Sequence, residues 1–328
     1  MHVLIIGAAG MVGRKLTEAI ARDGGVNGTA VDKLTLVDVV TPIAPVGIAA
    51  AVEARAGNIA DPAVSRDLIS GRPDLVFHLA AIVSGEAEID FELGYAINLD
   101  GTRHIFEAIR KQGEVAPYRP RFVFTSSIAV FGSPFPEQIG DDYILAPKTS
   151  YGTQKAIGEL LLSDYTRKGF LEGIGIRLPT VCIRPGKPNK AASGFFSNIL
   201  REPLIGEKAI LPVAETVRHW HVSPRRAIGF LLHAATMDLD RVGHRRVLNM
   251  PGLSATVGEQ IEALKRVAGN KAASLIIREP DALISEIVAG WPHDFDPQRA
   301  LGLGFEADNS FDEIIQIHIE DELGGKAA

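Results

Sequence analysis

Tyr151 and Lys155 lie four residues apart in the stretch SYGTQKAIGELLL, residues 150–162, which has the apolar pattern of an amphipathic helix. Side chains at this spacing lie on the same side of a helix, with Cβ atoms about 5–6 Å apart. Tyrosine normally titrates near 10, so a tyrosine that acts as a base near pH 7 needs its pKa lowered by about 3, or about 4 kcal/mol. A neighbouring ammonium that is shielded from water favours the ionised phenol. The pair therefore predicts acid–base chemistry, with Tyr151 as the base and Lys155 as the group that adjusts its acidity.

Two serines, Ser126 and Ser127, end the strand-like run RFVFTSS one loop before this helix. A serine hydroxyl in this place can hydrogen-bond a reacting oxygen and hold it for proton transfer, the role we predict for Ser127. The spacing leaves open whether Ser126 or Ser127 faces the substrate. A structural alternative has Tyr151 covering the start of the helix while Lys155 extends to solvent.

The elements that must position these residues follow a strand–helix alternation in the first half of the chain. Near-continuous Val/Ile/Leu strands separated by helical patterns indicate a parallel sheet covered on both faces, which is the doubly wound α/β arrangement called the Rossmann fold. The strand-like runs are HVLIIG, LTLVDVV, LVFHLAA, RFVFTSS and GIGIRLPTV. The helix that carries Tyr151 is expected to bury Ile157, Leu160 and Leu161.

The alternation changes after about residue 180, where Pro and Gly punctuate a mixture of helices and short strands. We predict a first domain over residues 1–180 and a smaller, mixed α/β C-terminal substrate region over residues 181–328. This region is expected to cover the edge of the sheet where ligands of such folds bind. The sequence leaves open whether part of residues 217–240 packs against the first domain.

A glycine-rich turn, GAAGMVG, places Gly7, Gly10 and Gly13 directly after the first strand. A strand-to-helix turn aims backbone N–H groups and the positive end of the helix dipole at one point, and glycines let a pyrophosphate approach. The structural alternative is a tight turn with close helix packing. Its place at the start of a strand–helix–strand pattern favours a dinucleotide site.

Asp38 ends the second strand, about 25 residues after Gly13 and near the spacing at which an acidic residue takes ribose hydroxyls. A carboxylate there accepts hydrogen bonds from the 2′ and 3′ hydroxyls and repels a 2′-phosphate. Val39 and Val40 follow, without an arginine that would bind the phosphate. NAD is therefore the predicted cofactor. Further residues that follow the next strands are expected to line the rest of it, namely Asn58, Ile59, Leu79, Ala80, Ala81 and Asn98.

Basic side chains gather in the second half at Arg184, Lys187, Lys190 and Arg218. Such cations suit a small carboxylate substrate, although they could equally meet diphosphate oxygens or remain solvated. His219, Trp220 and His221 could line the same pocket. Neither these histidines nor any other residues have metal-ligand spacing, and no metal is predicted.

Bulk properties restrict the partners of the chain. A net charge of -6 and a pI near 5.9 offer no general attraction to nucleic acid or anionic membranes. No apolar run approaches the roughly 20 residues that span a bilayer. One cysteine, Cys182, excludes an internal disulfide, and the apolar start lacks a basic leader, so the expected compartment is the cytoplasm.

An ordered set of motifs resembles the extended short-chain dehydrogenase/reductase family, also described as NAD-dependent epimerases/dehydratases. The motifs are GAAGMVG, Asp38, HLAA at 78–81, NLDGT at 98–102, TSSIAVFG at 125–132 and YGTQK at 151–155. The resemblance implies Ser127, Tyr151 and Lys155 as a catalytic trio. It also implies cofactor contacts from the residues named above together with Met11, Val12, Pro179, Tyr151 and Lys155.

The second half departs from the nucleotide-sugar members of that family, because VRHWHVSPRR at 217–226 has Ser223 and Pro224 where those members carry an acidic pair. Residues 183–204 instead resemble the subgroup that oxidises the four-carbon sugar acid D-erythronate at C2 with NAD. Substrate contacts are then expected from Ser126, Ser127, Thr180, Arg184, Lys187 and Arg218. A nucleotide-sugar epimerase or dehydratase using the same trio stays the alternative. The resemblance further implies a homodimer formed through the helices at 95–112 and 151–168.

Overall fold

The computed structural model describes residues 1–186 and 193–328 of the chain. The strands are, in chain order, β1 (His2–Ile6), β2 (Gly25–Val26), β3 (Thr29–Ala30), β4 (Lys33–Asp38), β5 (Ala51–Ala56), β6 (Leu75–His78), β7 (Arg121–Ser127), β8 (Ile139–Gly140), β9 (Glu172–Leu178), β10 (Thr180–Val181), β11 (Ala209–Leu211), β12 (Arg218–Val222), β13 (Val247–Asn249), β14 (Leu253–Thr256), β15 (Ile276–Arg278) and β16 (Phe295–Asp296).

The α-helices are α1 (Met11–Asp23), α2 (Pro62–Ser70), α3 (Ser84–Ile89), α4 (Phe91–Gly94), α5 (Thr102–Val115), α6 (Ser150–Arg167), α7 (Gly194–Leu204), α8 (Pro224–Thr236), α9 (Val257–Ala273), α10 (Ala282–Ala289), α11 (Gln298–Gly302) and α12 (Phe311–Glu322). A π-helical turn, Tyr95–Gly101, precedes α5 directly. No helix of the described residues combines the length and apolar character needed to cross a membrane.

The described residues divide into two compact units that are interleaved along the chain. Unit 1 contains Met1–Val130, Thr149–Arg177 and Ile228–Leu248. Unit 2 contains Phe131–Lys148, Leu178–Ala227 and Asn249–Ala328. The segment at 131–148 therefore lies in unit 2, and most of α8 lies in unit 1. Each unit contains segments from both sides of residue 180. The domain boundary at that residue remains a prediction.

Unit 1 is built on a seven-stranded sheet in the order β13-β9-β7-β6-β1-β4-β5. The pairs β1–β4, β1–β6, β4–β5 and β6–β7 are parallel. Chain order runs outward from β1 in both directions, which is the doubly wound topology. Strands such as β1 and β6 are buried along nearly their whole length, as expected for a parallel sheet covered on both faces. The predicted Rossmann fold class is therefore confirmed.

Helix α6 buries a different face from the one its leucines suggested. Lys155, Glu159, Leu162 and Thr166 are buried, whereas Leu160 is 66% exposed. The spacing of these four residues follows one side of a helix, so α6 turns a charged stripe inward. The expectation that Leu160 is buried was wrong, because a locally apolar run does not show which face meets the sheet.

Unit 2 has its own core, formed by α7, α9 and α12 with short strands between them. Phe196, Ile199, Leu264 and Ile315 are fully buried in it. The strands form a three-stranded sheet in the order β10-β12-β14, in which β10–β12 is parallel and β12–β14 is antiparallel. The expected mixed α/β character of the second region is present in this unit.

Candidate active site

The glycine turn between β1 and α1 leaves no room for a side chain at two of its three glycines. Gly7 has a φ of +93°, and a Cβ added there would lie 2.5 Å from the Ala80 backbone nitrogen. A Cβ on Gly13 would lie 2.2 Å from the Gly7 carbonyl oxygen. Helix α1 begins at Met11, and its N-cap Gly10 has no side chain to satisfy the first N–H groups. The first turn, with Met11 and Val12, is therefore suited to binding a phosphate.

Asp38 lies at the end of β4 and reaches back to the glycine turn. Its carboxylate accepts hydrogen bonds from the Ala9 backbone N–H at 3.0 Å and the Val39 backbone N–H at 2.7 Å. These bonds fix the carboxylate beside the turn, and the residue stays half-buried. The residues present thus fit a dinucleotide, with the turn for its pyrophosphate and Asp38 for ribose hydroxyls.

The predicted cofactor residues after the next strands differ in their exposure and in their hydrogen bonds within the protein. Asn58 is exposed, and its side-chain oxygen accepts from the Ala60 N–H at 3.0 Å, while Ile59 is buried. The N–H groups of Leu79 and Ala80 both donate to the Ile6 carbonyl, at 2.8 and 2.9 Å. Ala81 follows in the same half-buried loop.

Asn98 is buried in the π-helical turn and clamps that loop. Its side-chain oxygen accepts from the Ile82 N–H at 2.8 Å, and its amide nitrogen donates to the Ile82 carbonyl at 3.0 Å. The same nitrogen donates to Gln154 Oε1 at 2.7 Å. Asn98 therefore links loop 79–83 to α6, and this linkage is the role the geometry gives it.

Tyr151 and Lys155 occupy the first turns of α6, which Thr149 caps by accepting the Gly152 N–H at 3.0 Å. Lys155 is only 3% exposed, and its Nζ donates to the Thr125 carbonyl at 2.8 Å. The same Nζ lies 5.8 Å from the centre of the Tyr151 ring. Burial lowers the pKa of Lys155 to about 8, against a smaller opposing effect of the Glu159 charge. The ammonium therefore lies beside the phenol, as the helix spacing predicted.

Ser126 and Ser127 have different environments because successive side chains of a strand point to opposite faces. Ser126 is buried, and its hydroxyl donates to Glu159. Ser127 is half-buried, and its Oγ accepts from the Ala129 N–H at 3.1 Å. Of the two serines left open by the sequence, Ser127 is the one whose hydroxyl is not bound to Glu159.

The predicted substrate residues of unit 2 are held by separate partners. Pro179 is buried, and the half-buried Thr180 bonds through Oγ1 to His219 Nε2 at 2.7 Å. Arg184 donates to the Val181 carbonyl at 3.1 Å and to Ser193 Oγ at 2.9 Å. Lys187 and Lys190 lie outside the described residues.

Arg218 donates to the Ser254 carbonyl at 3.1 Å and pairs with Glu259 at 3.3 Å. Arg218 and His219 are successive residues of β12 and so point to opposite faces of that strand. The structure therefore groups Thr180 with His219 and gives Arg218 a different neighbourhood.

Sequence reasoning gave no role to the buried pair Glu159–Arg177. The Arg177 guanidinium donates to both carboxylate oxygens of Glu159, at 2.9 and 2.7 Å. A signal was available: Glu159 follows Lys155 by the same four-residue spacing that separates Tyr151 from Lys155. Among residues 1–186 and 193–328, no group of three or more His, Cys, Asp or Glu side chains could hold a metal ion.

Comparison with known proteins shows which family this chain resembles over most of its length. The model of the NAD-dependent epimerase/dehydratase family matches residues 3–226. A D-erythronate dehydrogenase of Cupriavidus necator is 48% identical over 326 residues, covering 98% of this chain and 98% of its own length. A D-erythronate dehydrogenase of Haemophilus influenzae is 43% identical over 323 residues, covering 98% and 100%.

A solved structure shares both fold and sequence with this chain. It is a crystal structure described as the nucleoside-diphosphate-sugar epimerase from Agrobacterium tumefaciens, with a TM-score of 0.98 and 63% identity. The match covers 99% of this chain and 95% of that one. The names of these similar proteins thus include both a sugar-acid dehydrogenase and a nucleotide-sugar epimerase.

Proposed function

This chain belongs to the NAD-dependent epimerase/dehydratase family, and we propose that it oxidises a small sugar acid, D-erythronate, to 2-dehydro-D-erythronate with NAD. The observation that carries the chemistry is the buried Lys155. It is bonded to the strand that ends in Ser127 and lies one helical turn from Tyr151. The choice of substrate is supported by two relatives of that name, each similar over nearly its full length.

In this proposal the trio handles the hydroxyl proton. Tyr151 accepts the proton from the substrate hydroxyl, and Ser127 donates a hydrogen bond to the same oxygen as it becomes a carbonyl. Lys155 stays protonated beside the phenol and favours its ionised form. Bound NAD would supply the hydride acceptor for the carbon that carries the hydroxyl. The carbon thus loses a hydride and the oxygen a proton, which together are a two-electron oxidation to a carbonyl.

NAD is proposed over NADP because of Asp38. Its carboxylate is fixed by two backbone N–H groups beside the glycine turn. A fixed negative charge accepts bonds from ribose hydroxyls and repels a 2′-phosphate. The remaining cofactor contacts are proposed to be those predicted from the sequence, with Asn98 acting through loop 79–83.

The substrate carboxylate is proposed to meet the cations of unit 2. Arg184 is half-buried and held by two partners, so its guanidinium is already oriented. Thr180 contributes a hydroxyl that is fixed by His219. Arg218 and Lys187 are further candidates for binding the carboxylate. Ser126 is proposed to hold Ser127 in place through its bond to Glu159 instead of contacting the substrate.

A nucleotide-sugar epimerase is the second candidate, favoured by the name of the Agrobacterium tumefaciens protein at 63% identity. An epimerase uses the same trio but returns the hydride to the sugar, so the cofactor is not consumed. A dehydrogenase releases the reduced cofactor. Net formation of NADH therefore separates the two functions.

The test is to mix the protein with NAD and a panel of four- to six-carbon aldonates and UDP-sugars, and to follow NADH by its absorbance. We expect NADH with D-erythronate and slower formation with longer acids. Conversion of a UDP-sugar without NADH, together with no reaction of any acid, would establish the epimerase instead. Omitting NAD and replacing it with NADP are the controls for the cofactor assignment.

We further propose a cytoplasmic homodimer. Leu160, exposed on α6, lies within one of the two helices that the family resemblance assigns to the interface. An apolar side chain exposed on a helix is favourable when a second copy covers it. Light scattering on the native protein and on Leu160→Glu tests the assembly, with a dimer expected for the first and a shift to monomer for the second.

A further inference from the structure

The buried stripe of α6 continues the catalytic spacing by one more turn. Tyr151, Lys155 and Glu159 follow one another at intervals of four residues, and the last two are each 3% exposed. Glu159 is bonded by both arms of the Arg177 guanidinium, which reaches it from β9. An ionised carboxylate at this depth needs such partners, because burial of an unpaired charge is strongly unfavourable.

Two bonds tie the end of β7 to this stripe. The Thr125 carbonyl accepts from Lys155 Nζ, and the next residue, Ser126, donates its hydroxyl to Glu159. Ser127 is the residue that follows. Its position relative to Tyr151 therefore depends on two successive attachments between the same strand and the same helix.

Within residues 1–186 and 193–328, the charged and titratable groups around Lys155, together with its hydrogen-bond acceptor, lie on four elements. On α6 they are Tyr151 and Glu159, and on β6 the buried His78, whose neutral form is favoured by burial and by the Lys155 charge. Arg177 on β9 acts through Glu159. On β7 Lys155 meets a carbonyl and the Phe124 ring, whose centre is 5.0 Å from Nζ. Glu159 is thus the negative charge of this group, and Arg177 offsets part of it.

From this arrangement we propose that Glu159 is a positioning residue of the active site: it fixes the Ser127 strand through Ser126, and with Arg177 it sets the field in which Lys155 keeps its proton. This inference rests on the proposed function for its consequence in catalysis. Its electrostatic part concerns Lys155 alone and can be measured without turnover.

The direct measurement is an NMR titration of the Lys155 side chain in protein labelled with ¹³C-lysine, with Lys155→Met identifying its signal. Glu159→Gln keeps an acceptor for Ser126 and removes the negative charge, so the Lys155 titration midpoint is expected to fall by roughly one pH unit. Arg177→Met removes a positive charge, while the Ser126 hydroxyl and Lys155 remain to stabilise the Glu159 carboxylate, so the midpoint is expected to rise. The two substitutions therefore move the same signal in opposite directions.

A matched control is available on α5. Glu107 accepts hydrogen bonds from Arg110 and from the Tyr165 hydroxyl, as Glu159 does from Arg177 and the Ser126 hydroxyl. Glu107→Gln is expected to leave the Lys155 titration and the kinetics unchanged. Circular dichroism and NAD binding by calorimetry establish that each variant is folded.

Kinetics then test the positioning part. The basic limb of the kcat/KM profile is expected to move with the Lys155 midpoint in Glu159→Gln. Ser126→Ala keeps all charges, and we expect it to lower kcat about tenfold without moving the titration. If either Glu159→Gln or Arg177→Met does not fold, the direction in which the Lys155 midpoint moves in the other variant tests the electrostatic role.

A Lys155 signal that titrates as in the native protein in a folded Glu159 or Arg177 variant overturns the electrostatic role. Native kcat in Ser126→Ala overturns the positional one. If NADH formation fails with every acid, the proposed function is wrong, yet the titration still reports on Glu159.

Discussion

Units 1 and 2 both bury polar side chains, but the buried groups beside the predicted site residues differ in charge. In unit 1, Asn98 and Lys155 bond to backbone carbonyls or to neighbouring polar groups at 2.7–3.0 Å. In unit 2, His219 and His221 are enclosed by rings, with Phe196 stacked on His219 at 5.0 Å and Phe311 edge-on to His221 at 5.4 Å. Lys155 is thus a buried charge, whereas His219 and His221 are buried neutral groups.

The pKa values follow this difference. Burial lowers the pKa of Lys155 to about 8, so it remains largely protonated at neutral pH. Burial lowers the pKa of His219 to about 3 and that of His221 well below its usual value, so both stay neutral. Near neutral pH, Lys155 of unit 1 therefore carries a proton, whereas His219 and His221 of unit 2 are uncharged groups that can form hydrogen bonds.

The largest expected effect is the loss of turnover in Tyr151→Phe. Removing the base is expected to lower kcat about 10³-fold, equivalent to about 4 kcal/mol of barrier. NAD affinity should change less than about twofold, because the helix and the glycine turn are untouched. Steady-state kinetics and calorimetry measure the two quantities. Tyr165→Phe on the same helix is the control, and retention of a tenth of the activity in Tyr151→Phe would contradict the assignment.

Acidification should weaken unit 2 more than unit 1. A histidine whose folded pKa lies below its unfolded value contributes stability that is lost as pH falls below about 6.5, roughly 2 kcal/mol per group at pH 5. Unit 2 has the fully buried His219 and His221 in this state. Unit 1 has the fully buried His78, whose pKa burial lowers to about 3, and the half-buried His2, whose pKa burial also lowers. At pH 5 ordinary carboxylates are still ionised and their pairs intact.

Hydrogen exchange at pH 7 and pH 5, corrected for intrinsic rates, measures the difference. Peptides from β12 are expected to lose roughly 4 kcal/mol of protection and those from β6 about 2 kcal/mol. Equal losses in both would mean that the number of fully buried neutral histidines does not determine the response of each unit to acid.

Lys155→Met is expected to lower kcat, though less than Tyr151→Phe does, while stabilising the fold. The lowered pKa means that the ammonium is unfavourable in the folded state below pH 8, by about 3 kcal/mol. Loss of the bond to the Thr125 carbonyl offsets about 1 kcal/mol, leaving a net gain of about 2 kcal/mol at pH 7. Denaturant unfolding measures it, and between pH 8 and 10.5 the native protein should gain stability while the variant does not. A less stable variant at pH 7 would refute the unfavourable burial of the charge.

The smallest expected effect tests recognition in unit 2. Thr180→Val keeps the shape of the side chain and removes its bond to His219. We expect KM for the acid to rise about tenfold, or about 1.4 kcal/mol, with kcat little changed. Thr153→Val on α6 serves as the control. A fall in kcat as large as that of Tyr151→Phe would place Thr180 in the chemistry instead of in binding.

The fold of unit 1 could be predicted because its signals are local. Buried strands, the glycine turn and the Tyr151–Lys155 spacing each depend on residues close in sequence, and the parallel sheet is the arrangement that such elements favour. The roles of these site residues remain predictions, although the helix brings Tyr151 and Lys155 together as expected.

The partners of buried polar groups could not be predicted in the same way. Ser126 bonds a residue 33 positions later, and His219 bonds one 39 positions earlier. Such pairings depend on which helix face meets the sheet, and the apolar pattern of α6 indicated the wrong residues at Leu160. Identical local spacing is compatible with several packings, so these contacts become known only when the elements are in place.

The interleaving of the two units also affects how the chain can be made. The sheet of unit 1 ends in β13, where the Arg246 carbonyl accepts from the Gly175 N–H of β9 at 2.8 Å. During synthesis, β13 must therefore leave the ribosome before it can pair with β9. Until then β9 is an unpaired edge strand, through which nascent chains can associate. A gene fragment that stops at residue 180 would carry that border permanently, and we expect it to aggregate on expression.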